Sequence, residues 1–120
     1  MAGYVVHGDL THDGNGVLTE VKLYEMGSPD TERTLVRTER LHVTDVAILH
    51  ANPQAGYEVQ LVADSVVAGR RLIHGFLETG WPLILRFRNP YICARATGLK
   101  FLGPQYGLTM CVIHGFIREA

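Results

Sequence analysis

Leu41-His42-Val43-Thr44-Asp45-Val46-Ala47-Ile48-Leu49 carries the clearest periodicity in the chain, together with its clearest irregularity. Leu41 and Val43 share a face at the two-residue period of a β-strand, and Val46 and Ile48 then take over on the other. One extra residue near Thr44-Asp45 produces such a slip, as a β-bulge does. A strand crossing from one sheet environment to another is the alternative.

Outward from this stretch the same period recurs. Val17, Thr19, Val21 and Leu23 alternate with Leu18, Glu20, Lys22 and Tyr24, which predicts one half-buried strand. Tyr57, Val59, Leu61 and Ala63 alternate with Glu58, Gln60 and Asp64, and Leu83, Leu85 and Phe87 stand opposite Arg86 and Arg88. Turn-forming clusters separate these runs: Asp13-Gly14-Asn15-Gly16, Gly27-Ser28-Pro29-Asp30, Asn52-Pro53, Gly80-Trp81-Pro82, Asn89-Pro90 and Gly103-Pro104. Short β-rich runs between regular turns predict an antiparallel sandwich or barrel. Helix-like signals in residues 28–40 and 65–77 are too weakly anchored, and both segments read as loop plus strand.

Two runs are apolar on both faces. Residues 72–77 are one; residues 108–117 are the other, with Leu108, Met110, Val112 and Phe116 on one side and Cys111, Ile113 and Ile117 on the other. A sandwich strand has one face in the core and one in water, so a two-faced strand needs a second cover. A homo-oligomer contact using Leu72, Phe76, Met110, Val112 and Phe116 is the expected cover.

The 120 residues form one expected domain, 1–120, and 47% hydrophobic with 19% charged residues is the composition of a folded globule. A net charge of −1 argues against nucleic acid as a partner. No apolar run is long enough for a membrane helix, and the N-terminus has no basic region leading into an apolar stretch, so the expected location is the cytoplasm or a virion, without secretion. Cys93 and Cys111 lie in apolar runs without ligand spacing and are expected as buried, reduced thiols.

A β-branched residue followed by His-Gly occurs at Val6-His7-Gly8, Ile73-His74-Gly75 and Ile113-His114-Gly115. Convergence of His7, His74 and His114 would offer three imidazoles to zinc or nickel. No carboxylate recurs at a fixed offset to orient them, however, and the favoured reading makes them structural, at equivalent positions near one end of the sandwich, with the glycines leaving room for a neighbour or a bulge. His42 and His50 flank a strand as rim residues. Residues 9–20 match part of a calcium loop through Asp9, Asp13, Gly14 and Glu20, but Val21-Lys22-Leu23 continues as a strand where a helix should follow, so a hairpin loop is favoured. Neither Ser28 nor Ser65 sits in a nucleophile turn, and no phosphate loop is present; an enzyme is not expected, nor is a cofactor. Trp81, Tyr91 and Tyr106 lie in or beside turns, where a sugar ring or a partner is one use and a cap on the sandwich end another.

The order Arg40-Leu41-His42-Val43-Thr44-Asp45-Val46, Val59-Gln60-Leu61-Val62-Ala63-Asp64, Leu83-Ile84-Leu85-Arg86-Phe87-Arg88-Asn89-Pro90-Tyr91-Ile92, Gly98-Leu99-Lys100-Phe101 and Val112-Ile113-His114-Gly115-Phe116-Ile117 resembles compact jelly-roll modules. Such modules occur in phage fibre and capsid-decoration proteins and in trimeric tumour-necrosis-factor-like domains. The resemblance implies an all-β, antiparallel jelly-roll sandwich of roughly eight short strands. It also implies self-assembly, with a trimer favoured, and attachment to a larger protein particle. The expected function is a non-enzymatic structural or assembly protein; a carbohydrate- or metal-binding module is the alternative.

Overall fold

The computed structural model describes residues 4–12, 17–50, 57–62, 71–77, 82–103 and 108–119. These residues form β1 (Tyr4–His12), β2 (Thr19–Glu20), β3 (Lys22–Glu25), β4 (Thr31–Arg33), β5 (Glu39–His50), β6 (Tyr57–Val62), β7 (Arg71–Leu77), β8 (Leu83–Ile92), β9 (Lys100–Leu102) and β10 (Thr109–Glu119). The protein is all-β: every strand pairing is antiparallel, and among the described residues there is no helix. One sheet has the order β4-β3-β1-β10-β5-β8 and the other β2-β9-β6-β7.

Eight strands pair in a nested pattern, β1 with β10, β2 with β9, β5 with β8 and β6 with β7. β10 also meets β5, and β9 meets β6. The β3–β4 hairpin extends the larger sheet beyond β1. With it the described residues hold ten strands, where roughly eight were expected.

The two sheets enclose one core. Val6, Leu23, Leu41, Val43, Val46, Ile48, Cys111, Ile113 and Ile117 from the larger sheet meet Val59, Leu61 and Phe101 from the smaller, with Val21, Cys93 and Leu99 contributed by the connecting segments. Each fully buried Leu, Ile or Val contributes about 1.5–3 kcal/mol by leaving water. The face that a strand turns inward is therefore strongly specified.

The slip at residues 41–49 is a bulge. His114 pairs with Asp45 and Gly115 with Val43, so Thr44 has no opposite number on β10. The extra residue restores phase, and Leu41, Val43, Val46, Ile48 and His50 all point into the core. His50 is thus buried, not on the rim, because the corrected alternation carries it inward. On the other side of β5, Val43 pairs with Tyr91 and Asp45 with Arg86, so residues 87–90 of β8, Asn89-Pro90 among them, bulge opposite Thr44. β8 is an outer strand of its sheet, where a proline that cannot donate to a ladder is tolerated.

Two alternating runs differ from expectation. Residues 17–24 are not one strand: β2 belongs to the smaller sheet and β3 to the larger, and the chain changes sheets at Val21. The Val21 side chain is buried and its N–H donates to the Leu99 carbonyl at 2.9 Å, so the crossing keeps its backbone bond. Residues 59–62 are buried one after another, Gln60 included, so β6 is covered on both faces there. The segment after β4 is tied down by Glu39, a buried carboxylate that accepts from the Arg33 guanidinium and from the Val36 N–H.

Candidate functional site

Strand register places outward-facing side chains of the larger sheet in rows. Val5, Phe116, His42 and Ile92 form one row across β1, β10, β5 and β8. The next runs Glu32, Tyr24, His7, His114, Asp45, Arg86 across all six strands. A third runs Lys22, Asp9, Val112, Ala47, Ile84, and a fourth Thr11, Met110, Leu49. Ile84 is 57% exposed, Ile92 53%, Leu49 44% and Met110 42%. Four large aliphatic side chains on three adjacent strands are an uncommon load for a face turned to water. Phe116 is partly covered by its own neighbours: His42 stacks on it with centroids 4.7 Å apart, and the Arg118 guanidinium lies 4.8 Å from the ring centroid.

The polar row crosses the middle of this face. His7 Nε2 lies 2.7 Å from Asp30 Oδ2 and its Nδ1 lies 2.8 Å from Asp9 Oδ2, so the ring donates from both nitrogens when protonated. The bond to Asp30 raises the His7 pKa most, Asp9 adds to it, and partial burial works against both. The Gly27 N–H donates to Asp30 Oδ1 at 2.8 Å and, with His7, holds the Asp30 carboxyl below its ordinary range. Tyr24 stacks on the imidazole, with centroids 5.6 Å apart. His7 therefore pins the turn between β3 and β4 onto β1. His114 is more open: its Nδ1 lies 2.9 Å from Asp45 Oδ1, and Thr44 Oγ1 donates to its carbonyl across the bulge. His42 moves the other way, its pKa lowered by burial and by the nearby Arg118 and Arg40.

The three His-Gly positions do not converge. His7 and His114 are opposite one another in mid-strand, not at a sandwich end, while His74 pairs with Gln60 in the other sheet and its side chain lies outside the described part. Both His7 nitrogens face carboxylates, and among the described residues no three His, Cys, Asp or Glu side chains are placed to hold a metal ion. Beside Asp9, the carboxylates that orient the imidazoles are distant in sequence, Asp30 from the turn between β3 and β4 and Asp45 from β5, which is why no fixed sequence offset reveals them. Of the calcium-loop candidates, Asp9 is on β1 and Glu20 on β2, in different sheets, and Asp13 lies outside the described residues.

The chain matches no protein-family model, and comparison with curated proteins and with solved structures gives no match.

Of the residues expected at a contact, Met110, Val112 and Phe116 lie on the outer face of β10. Leu72 and Phe76 lie on β7, at the edge of the smaller sheet, with side chains outside the described part. Sequence reading missed Leu49, Ile84 and Ile92, which complete the patch from β5 and β8. The signal was present in Ile84 and Ile92, each an apolar residue on the polar phase of its strand. Of the turn aromatics, Tyr91 packs against the core beside Phe87, and Trp81 and Tyr106 lie outside the described residues. The Cys93 and Cys111 thiols are free and buried.

Proposed function

We propose that this protein is a structural, assembly-type module: a jelly-roll sandwich that associates with copies of itself and so decorates or caps a larger particle. The nested pairing of β1 with β10, β2 with β9, β5 with β8 and β6 with β7 supports the jelly-roll reading, since a rolled hairpin has this pairing. One observation carries the assembly reading: the outer face of β10, β5 and β8 exposes Met110, Leu49, Ile84 and Ile92 together. The strands' inner faces already fill the core, and these residues lie outside it.

Light scattering across a concentration series tests it. The expected mass is a multiple of 13.3 kDa at micromolar concentration, and Met110→Asp, which sets a carboxylate on the patch, should reduce that mass while leaving the β-type circular dichroism spectrum unchanged. A mass of 13.3 kDa at every concentration would overturn the proposal.

A further inference from the structure

We infer that Arg40 and Arg118, side by side at one end of β5 and β10, form a recognition site for the dianionic group of a phosphate monoester. The reading does not rest on self-association: Ile84, Leu49 and Met110 lie three or four rows away along the face. Strand register sets the two arginines directly opposite each other. Both are on the outward phase, because Leu41 and Ile117 beside them are buried. Like charges at facing positions destabilise a ladder. Among the described residues neither guanidinium has a carboxylate partner to offset that cost. Glu39 is buried against Arg33, and Glu119 stands opposite Glu39 on the inward phase. Arg95 is a further exposed arginine at this end, also without a carboxylate partner among the described residues. Its segment is held to the start of β5 by bonds from the Cys93 N–H to the Leu41 carbonyl and from the Ala96 N–H to the Glu39 carbonyl. A chain of net charge −1 thus gathers uncompensated positive charge at one place.

The cluster is ordered before a ligand arrives. The Arg118 guanidinium lies 4.8 Å from the Phe116 centroid, and His42 stacks on the same ring at 4.7 Å with 16° between the planes. A cation–π contact that already fixes the arginine lowers the entropy lost on binding. His42 reports the local field: burial lowers its pKa most, Arg118 and Arg40 lower it further, and no carboxylate opposes them.

The chemistry of the ligand follows from charge and shape. Adjacent strands are about 4.8 Å apart, so two forked guanidinium donors can grip one tetrahedral oxyanion together. Their two charges match a phosphate dianion, whereas a single carboxylate leaves one unmatched. The next row supplies an apolar floor for the organic part of the ester, in Phe116 and the exposed Val5 and Ile92. A free small ester and the headgroup of phosphatidic acid share this chemistry.

The test follows the His42 imidazole of the full-length chain by NMR, with inorganic phosphate, phenyl phosphate, and potassium chloride at matched ionic strength. Both phosphates should give saturable shifts, and phenyl phosphate should bind more tightly because its ring reaches the apolar row. The His42 pKa should rise in phosphate and not in chloride, since a bound dianion offsets the guanidiniums that disfavour the imidazolium. Arg40→Gln and Arg118→Gln should each weaken binding at least about tenfold. Arg118→Lys should weaken it less, because it keeps the charge and loses only the fork. Lys100→Gln, exposed on β9 of the other sheet, should change nothing. The arginine variants should keep the β-type circular dichroism spectrum yet lose the rise in Tm that phosphate gives wild type, which separates lost binding from misfolding. Co-sedimentation with phosphatidylcholine vesicles containing phosphatidic acid, abolished by the same variants, identifies the lipid as the source. Phenyl phosphate binding without vesicle binding identifies a free ester. Equal responses to chloride and phosphate, or phosphate binding untouched by both glutamine substitutions, would overturn the site.

Discussion

His7 and His114 are paired directly across the β1·β10 ladder, yet each is held by a different carboxylate arrangement. His7 is gripped at both nitrogens, by Asp9 and by Asp30; His114 is gripped at one, by Asp45. The neighbouring residues separate their surroundings further. Gly8 leaves space that the Ile113 and Val21 side chains fill, while Gly115 leaves space for backbone at the Thr44 bulge. Two similar tripeptides, Val6-His7-Gly8 and Ile113-His114-Gly115, thus solve different packing problems on adjacent strands.

The His7 clip should make stability depend on pH with a definite sign. A histidine whose folded pKa is raised contributes fully below its unfolded value of 6.5, and the contribution is lost as pH rises through the folded pKa. Asp30 has the opposite sense: its contribution is present above its ordinary 3.8 and is lost as pH falls through the depressed value. His7→Gln should therefore lower Tm most near about pH 5.5, and its difference from wild type should shrink by about pH 8.5. Thermal melts at both pH values check this; a difference that widens with pH contradicts it.

Glycine substitutions should rank by what a new Cβ meets. At Gly115 it would sit 2.1 Å from the His42 carbonyl oxygen, backbone that the bulge holds in place. Gly115→Ala should cost about 4 kcal/mol or prevent folding. At Gly8 the Cβ would meet Ile113 Cγ1 at 2.6 Å and Val21 Cγ1 at 2.9 Å, side chains that shift at a cost of about 1–3 kcal/mol. At Gly98 nothing lies within 4 Å, and alanine should be tolerated. Urea denaturation of the three variants gives the order.

Removing Arg33 should expose the dependence of Glu39 on its partner. Glu39 is 3% exposed, and its carboxylate accepts from Arg33 and from the Val36 N–H. Arg33→Met keeps the aliphatic stem but leaves a buried charge without its guanidinium, which should cost about 3 kcal/mol. The double variant Arg33→Met with Glu39→Met should recover part of that loss in the same denaturation assay. No recovery would mean that Arg33 acts through its other contacts, the Glu25 carboxylate among them, and not through Glu39.

Cys93 and Cys111 should be chemically silent in the folded protein. Burial pushes both thiols up to about 12, so the reactive thiolate is scarce at neutral pH. Titration with a thiol reagent at about pH 8 should find almost no rapid reaction until denaturant is added, and then two thiols per chain. Rapid reaction of either thiol in native buffer would show that its segment opens readily.

Much of this architecture was readable one strand at a time. The alternation at Leu83, Leu85 and Phe87 identified the core-packed face of β8, and the slip at Thr44-Asp45 located the bulge in β5. Both are local consequences of a two-residue period, and a bulge must break that period wherever it sits. The same rule misled at residues 17–24. A chain that passes from one sheet to the other at a buried residue keeps the alternation that a single strand would show. Val21 is inward in either case.

By itself, the sequence determined that the protein is all-β and which face of β5 and β8 leaves water, because backbone period and apolar content act over a few residues. Only the tertiary structure decided which strands are neighbours. That choice put His7 beside His114, brought Asp30 to His7 and Asp45 to His114, and gathered Leu49, Ile84, Ile92 and Met110 on one face. The reason is physical: backbone hydrogen bonds between strands are nearly the same for every pair of residues, so pairing carries little local signature. Register is settled by closing the whole core at once, since a slip of one residue would turn every inward side chain of that strand to water.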